Sequence, residues 1–364
     1  MNIPAVAGRH LFAQPPRGAL HQGSKADADR SRYVILAPGR ALVCHLRSGA
    51  RMKHADFLSL RDVPAEIVHR LLERALALKT EREIRRDLFG KSLALVFQKP
   101  SLRTRGSFDV AMQELGGHLV YFGPDEVGLG KRESIPDVGR VLSEYVQAIA
   151  ARTYRHEDVE TLARYASVPV INALSDFCHP CQAMADLLTL REHFGALPGI
   201  TLTYVGDGNN VCHALLFGCS RVGIHLRVAS PVGYEPREQV IACARQEAAR
   251  HGGSVTIFTD PREAARGADA LYTDVWTSMG QEEEAVRRRR VFAEYRLDQA
   301  LLGLAHPEAI VLHDLPAHRG EEITDEVIDG PQSVVFQQAG NRLHAQKAIL
   351  LWLMTNDVEA GLGT

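Results

Sequence analysis

Apolar positions along most of the chain follow two alternating periods. From Asp56 onward, Pro64 stands where a helix can start. Ile67, Leu71, Leu72, Ala75 and Leu78 then recur at spacings of three and four, which predicts an amphipathic first helix. The short apolar run Leu93 to Phe97 predicts a strand, followed by a polar loop, a helix from about Arg105 to Leu115 ended by Gly116 and Gly117, and a strand over Leu119 to Phe122. The alternation continues with strands near Ala148, Val168, Leu202, Leu226, Val255, Leu271 and Ile310, separated by helical stretches. Strands joined through helices imply mostly parallel sheets covered on both faces. The predicted fold class is therefore α/β, with two doubly wound parallel sheets accounting for the length. A boundary is expected at Phe194 to Gly199, where Gly195, Pro198 and Gly199 follow a long helix, and a last helix over Arg342 to Met354 is expected to pack back on the first half. The expected domains are 52–195 with the returning helix 342–355, and 196–341.

Residues 1–51 break this pattern. They hold seven Arg, one Lys and only two acidic residues, with no sustained apolar period, and are expected to be a disordered extension. An acid-poor basic leader is also what an organellar transit peptide looks like, which would make the protein mitochondrial; the low Ser content leaves a cytoplasmic location as the expectation. Across all 364 residues, 42 Lys and Arg face 44 Asp and Glu, a net charge of −2. No global basic field points to nucleic acid or an anionic membrane surface. The longest apolar stretches, such as Ala348 to Met354, fall far short of the roughly 20 residues of a membrane span. Six scattered cysteines make no disulfide framework, so a reducing compartment is expected.

Ligands of open α/β sheets bind beyond the carboxyl ends of strands, where loops lead into helix N-termini. After the Phe97 strand come Lys99, Ser101, Leu102, Arg103, Thr104 and Arg105, leading straight into a helix. Three cations, two hydroxyls and free helix N–H groups suit an oxyanion such as phosphate, although a solvated basic loop has the same composition. Cys178 and Cys181 have a redox-type spacing, but no second pair accompanies them, and structural cysteines are commoner. His179 lies in the same strand-to-helix loop, where a neutral imidazole can donate to a developing oxyanion. Val205 to Val211 begins like a dinucleotide fingerprint, yet Val211 stands where the third Gly belongs, so no nicotinamide site is expected. Gly90, Lys91 and Ser92 precede their strand and lack the upstream Gly of a P-loop. Asp274 and Asp314 each follow a strand and would suit a cationic substrate, or a helix cap. Glu282 to Glu284 and Arg287 to Arg290 place opposite charges four apart, most simply a solvated helix face.

Together these loops resemble the aspartate/ornithine transcarbamylase family from about Asp56 to Met354. The pieces are FQKPSLRTR at Phe97 to Arg105, HPCQ at His179 to Gln182, VGDGNN at Val205 to Asn210, DVWTSMGQE at Asp274 to Glu282 and LPAHRGEEITDEV at Leu315 to Val327. The resemblance implies a carbamoyl phosphate domain, an amino-acid domain of ornithine type, a cleft between them, a homotrimer or a multiple of it, and no metal or organic cofactor. Carried over residue by residue, it assigns Ser101, Leu102, Arg103, Thr104, Arg152, His179 and Gln182 to carbamoyl phosphate. It assigns Asn172, Asp274, Ser278, Met279, Asp314 and Leu315 to ornithine, and brings Arg342 near the reacting carbamoyl group. Arg103, His179, Asp274, Asp314 and Arg342 are the expected catalytic set.

The chain departs from the family pattern at four places, the mildest being Leu102 for Thr in the phosphate loop, where the side chain need not face the ligand. His313-Asp314-Leu315-Pro316 replaces HCLP, putting a carboxylate where the family has a cysteine. Gly128 stands where relatives carry a His or Gln reaching into the neighbouring subunit, and Gly340 replaces an acidic residue. Asp314 beside Asp274 would share a proton with it or hold the attacking amine as ammonium. Besides an ornithine enzyme, the departures leave a relative tuned to another amine and a non-enzymatic paralogue as readings.

Overall fold

The computed structural model describes residues 55–81, 84–277 and 282–355, so the extension 1–51 lies outside the described residues. The first parallel sheet has the order β2-β1-β3-β4, with β1 Ser92–Phe97, β2 His118–Phe122, β3 Ala148–Arg152 and β4 Val170–Leu174. The second has the order β7-β6-β5-β8-β9, with β5 Thr201–Val205, β6 His225–Ala229, β7 Ser254–Phe258, β8 Ala270–Thr273 and β9 Ile310–His313. All pairings are parallel. The interior strand β3 is covered on both faces and buried at every residue, the edge strands β2 and β7 alternate or lie half exposed, and the edge strand β4 is buried throughout because other parts of the chain cover it. Phe57 covers the β4 edge: its N–H donates to Val170 O (2.8 Å) and its carbonyl accepts from Asn172 N–H (2.9 Å).

All nine expected strands are present, and β4 starts at Val170 rather than near Val168 because Pro169 cannot donate to a ladder. Two helices start earlier than their periodicity indicated. The helix after β1 begins at Leu102, because the Ser101 hydroxyl caps it by accepting from Thr104 N–H (3.3 Å). The last helix spans Val335–Thr355, and its first turns escaped the apolar pattern because they are polar and contain an exposed Gly340. As expected, this helix packs against Ala65–Glu81, Leu102–Glu114 and Pro180–Phe194, all in the first half. Ile349, Leu350 and Leu353 bury its apolar side. Asn341 pins its start, accepting from Lys79 Nζ (2.8 Å) and donating to Thr189 Oγ1 (2.9 Å) and Glu192 Oε2 (2.8 Å).

Strand order reverses between β1 and β3 in the first sheet and between β5 and β8 in the second. Loops diverge at such switch points and leave a crevice. One glycine there is fixed by close approach: a Cβ on Gly208 would lie 2.2 Å from Pro236 N, so the loop after β5 passes directly against the chain's own backbone.

Candidate active site

The two switch points open into one cleft of about 1030 Å³, lined from the first half by Lys99, Ser101, Arg103, Arg152 and His179 and from the second by Asn209, Asp274 and Asp314. Arg103 sits in the first turn of the Leu102–Glu114 helix and Arg152 at the end of β3. Arg342 arrives from the last helix and donates to Thr104 Oγ1 (2.6 Å), which in turn accepts from Ser101 Oγ (3.0 Å). Burial, together with the like charges Arg342 and Arg103, lowers Arg152 to about 10, and burial beside Arg152 lowers Lys99 to about 8. Both groups remain mostly cationic at neutral pH. His179 behaves differently: burial and then Arg342, Arg152, Lys99 and Arg103 push it well below the ordinary imidazole range. It is therefore neutral, and its Nδ1 has no hydrogen-bond partner among the described residues.

The opposite wall is acidic. Asn209 caps the helix after β5, accepting at Oδ1 from Val211 N–H (2.9 Å) and Cys212 N–H (3.1 Å), while its Nδ2 donates to Asp274 Oδ2 (2.8 Å). Burial and then the neighbouring Asp314 push Asp274 up to about 7. Burial also raises Asp314, against the pull of Arg342, His313, Arg103 and Arg152. Arg342 Nη1 is 3.9 Å from Asp314 Oδ1, too far for a hydrogen bond, and that oxygen has no other partner among the described residues. The next residue, Leu315, is held at a φ of 61°. Its N–H donates to His313 Nδ1 (2.8 Å), so the imidazole proton is on Nε2, donated to Glu322 Oε1 (3.1 Å) inside the core.

Most of the expected residues converge on this cleft. Thr104 and Gln182 are fully buried just behind its wall, and Leu102 is 86% exposed, so only its backbone position serves the loop. Ser278 and Met279 lie outside the described residues. Asn172 is not brought to the cleft. It is fully buried in β4, where its Nδ2 donates to Leu58 O (3.0 Å) and Ser175 Oγ (3.2 Å); Asn209 and Asn210 line the cleft in its stead. The solvated-face reading of the 282–290 charges also needs correction. Arg288 is buried, donating from Nη1 to Asp207 Oδ2 (2.8 Å) and to Trp276 O (2.8 Å), and from Nε to Glu284 (3.0 Å), which pins the loop after β8 to the loop after β5. Gly128 has a φ of 55° at the end of a short helix, so local backbone conformation accounts for glycine there. Cys178 and Cys181 are buried free thiols, each pushed up by burial to about 12, as structural cysteines should be. Among the described residues, the group able to hold a metal ion is His318, Glu321 and Glu322, but Arg289 already pairs with Glu321 and His313 with Glu322.

The sequence pattern of the aspartate/ornithine carbamoyltransferase carbamoyl-P binding domain matches residues 55–192, and that of the family's Asp/Orn binding domain matches residues 198–353. The ornithine carbamoyltransferase of Acidothermus cellulolyticus is 55% identical over 310 residues, covering 84% of this chain and 98% of the relative. This chain belongs to the aspartate/ornithine carbamoyltransferase family. An anabolic ornithine carbamoyltransferase of Pyrococcus furiosus is 53% identical over 302 residues, covering 82% and 96%. The solved ornithine carbamoyltransferase structure from Pyrococcus furiosus superposes with a TM-score of 0.81 at 51% identity, covering 84% of this chain and 98% of that one. In carbamoyltransferase terms, Lys99, Arg103, Arg152 and His179 fall in the carbamoyl-P domain, whereas the acidic wall and Arg342 fall in the stretch matched by the Asp/Orn domain.

Proposed function

We propose that the chain is an ornithine carbamoyltransferase, moving the carbamoyl group of carbamoyl phosphate to the δ-amine of L-ornithine to give L-citrulline and phosphate. The observation that carries this reading is the single cleft lined together by Arg103, Arg152, neutral His179 and Asp274. Arg103, Arg152 and the N-terminal turn with Ser101 and Thr104 take the phosphate oxygens. Arg103, Thr104 and His179 also serve the carbonyl oxygen, and Gln182 the carbamoyl NH2. Asp274, held by Asn209, takes the α-ammonium of ornithine. The δ-nitrogen lone pair attacks the carbonyl carbon and a tetrahedral oxyanion forms. The carbon–oxygen bond to phosphate then breaks with its electron pair leaving on phosphate, and the nitrogen sheds a proton. Neutral His179 can donate to the oxyanion without first losing charge, and no side chain needs to act as nucleophile.

The buried carboxylate of Asp314 favours a second reading, in which the acceptor is another amine or the chemical step is slowed. The test is citrulline formation from ornithine and carbamoyl phosphate: turnover with ornithine well above that with other diamines supports the first reading, and the reverse order supports the second. The proposal extends to a cytoplasmic homotrimer serving arginine biosynthesis, a direction in keeping with the relative named anabolic. Sedimentation equilibrium tests the assembly.

A further inference from the structure

One buried acid has no part in the chemistry above, yet it touches both walls of the cleft. Asp186 is fully buried in the Pro180–Phe194 helix. His179, Gln182 and Asp186 lie at spacings of three and four, so all three fall on one side of that helix. Asp186 Oδ1 accepts from Gln182 Nε2 (2.8 Å) and from Gln338 Nε2 (2.7 Å), and Oδ2 accepts from the Tyr272 hydroxyl (3.3 Å). Gln338 Oε1 in turn accepts from His313 N–H (2.8 Å), one residue before Asp314. Tyr272 precedes Asp274 by two residues on β8.

The direction of these bonds matters more than their number. A side-chain amide has a donor end and an acceptor end, and which way it points is set by its partners. Burial pushes Asp186 up to about 8, and whether the group is ionised or carries its proton on Oδ2, beside Tyr272, the Oδ1 it offers to both glutamines only accepts. It therefore compels both glutamines to present NH2 to it, which turns Gln338 Oε1 toward the His313 N–H and turns Gln182 Oε1 the other way. Gln182 Oε1 is buried and has no hydrogen-bond partner among the described residues. A buried acceptor left open one turn beyond His179 is suited to an N–H of the carbamoyl group.

We infer that Asp186 is the positioning residue that fixes the Gln182 amide with its oxygen toward the carbamoyl NH2 and, through Gln338, fixes the loop bearing Asp314. This rests on the transcarbamylase reading but adds a residue that reading leaves out. Its specific consequence is discrimination: Asp186 matters to a ligand with an amide NH2 and not to one with phosphate alone.

The experiment is calorimetry of the full-length protein with phosphonoacetamide, a stable carbamoyl phosphate mimic with an amide, and with inorganic phosphate. Asp186→Ala is expected to weaken phosphonoacetamide by about five- to tenfold, the cost of one misplaced hydrogen bond, while inorganic phosphate changes by less than about twofold. Asp186→Asn keeps an acceptor oxygen and is expected to recover at least half of the loss. In a Gln182→Ala background, Asp186→Ala is expected to add nothing. Equal weakening of both ligands in Asp186→Ala would mark a merely structural role and overturn the inference. So would additive effects of Asp186→Ala and Gln182→Ala, or wild-type protein that binds phosphonoacetamide no better than phosphate. If Asp186→Ala fails to fold, the Asp186→Asn and Gln182→Ala pair decides: independent, additive losses of phosphonoacetamide binding reject the coupling. The citrulline assay on wild-type protein judges the proposed activity separately.

Discussion

Replacing Asp314 by Asn removes one of the two buried carboxyl groups of the acidic wall without changing its shape. Asp274 is pushed up to about 7 by burial and then by Asp314. Two carboxyl groups that titrate as a pair interact by more than about one pKa unit, so deleting one charge should lower the other's pKa by about one unit. With a pKa near 7, about one tenth of Asp274 is ionised at pH 6; with a pKa near 6, about half is. A ligand held by the Asp274 carboxylate should therefore gain about fivefold at pH 6 relative to pH 8 in the variant. Ornithine is a poor probe because its δ-amine also titrates. L-norvaline keeps the amino-acid end, lacks that amine and does not change charge between pH 5.5 and 8. Calorimetry of L-norvaline on protein saturated with phosphonoacetamide should show the acid-side loss of affinity moving down by about one pH unit in Asp314→Asn. Parallel curves for wild type and variant, or a loss that moves to higher pH, would refute the coupling of the two carboxyl groups.

Arg103→Ala should abolish measurable carbamoyl phosphate binding and cost about 10² to 10³ in turnover, the usual loss for one oxyanion donor; normal affinity by calorimetry would remove the phosphate-loop assignment. Asp274→Asn should abolish ornithine use and yet stabilise the fold above pH 7. The folded carboxyl holds its proton to about 7, against about 3.9 when unfolded, so its cost to stability grows as pH rises between those values and is fully present above the upper one. The unfolding free energy of Asp274→Asn in urea should therefore exceed that of wild type by on the order of 4 kcal/mol at pH 8, falling to about 1 kcal/mol at pH 4.5. Arg288→Met leaves Asp207 buried without its cation, which should cost about 3–5 kcal/mol in urea unfolding and weaken ornithine use, with phosphate binding unchanged. A stability within 1 kcal/mol of wild type would show that the Asp207 contact is expendable.

The fold was readable because short apolar runs between amphipathic stretches leave few alternatives to parallel sheets. The phosphate loop was readable for a related reason: Lys99 to Arg105 places its whole chemistry within one turn of a strand end. Arg152 and Arg342 carry no such local sign, one ending an apolar strand and the other standing in the polar start of a helix, and only resemblance selected them. Asn172 lies outside the cleft lining, and an Asn near a strand end looks alike in sequence whether it faces a ligand or a neighbouring loop. The better signal was Asn209, which directly precedes a helix and so is held as a cap with its amide free. Arg288 was hidden in a run of four arginines. Its spacing of four to Phe292 and seven to Tyr295 puts it on the same side as two buried aromatics, which marks it as the one turned inward. Asp186 and the direction of the Gln182 amide were beyond sequence reasoning, since amide direction depends on partners from three segments far apart in the chain.

The returning helix has a consequence for how the protein becomes competent. Arg342 reaches the phosphate loop only because the final 21-residue helix docks on elements translated some two hundred residues earlier. During synthesis, the carbamoyl-P half can therefore emerge and take shape while still missing a cation of its own pocket. A stop codon before this helix would spare the sequence of every strand and yet strip the pocket of that guanidinium, so a short loss of length would bring a disproportionate loss of chemistry.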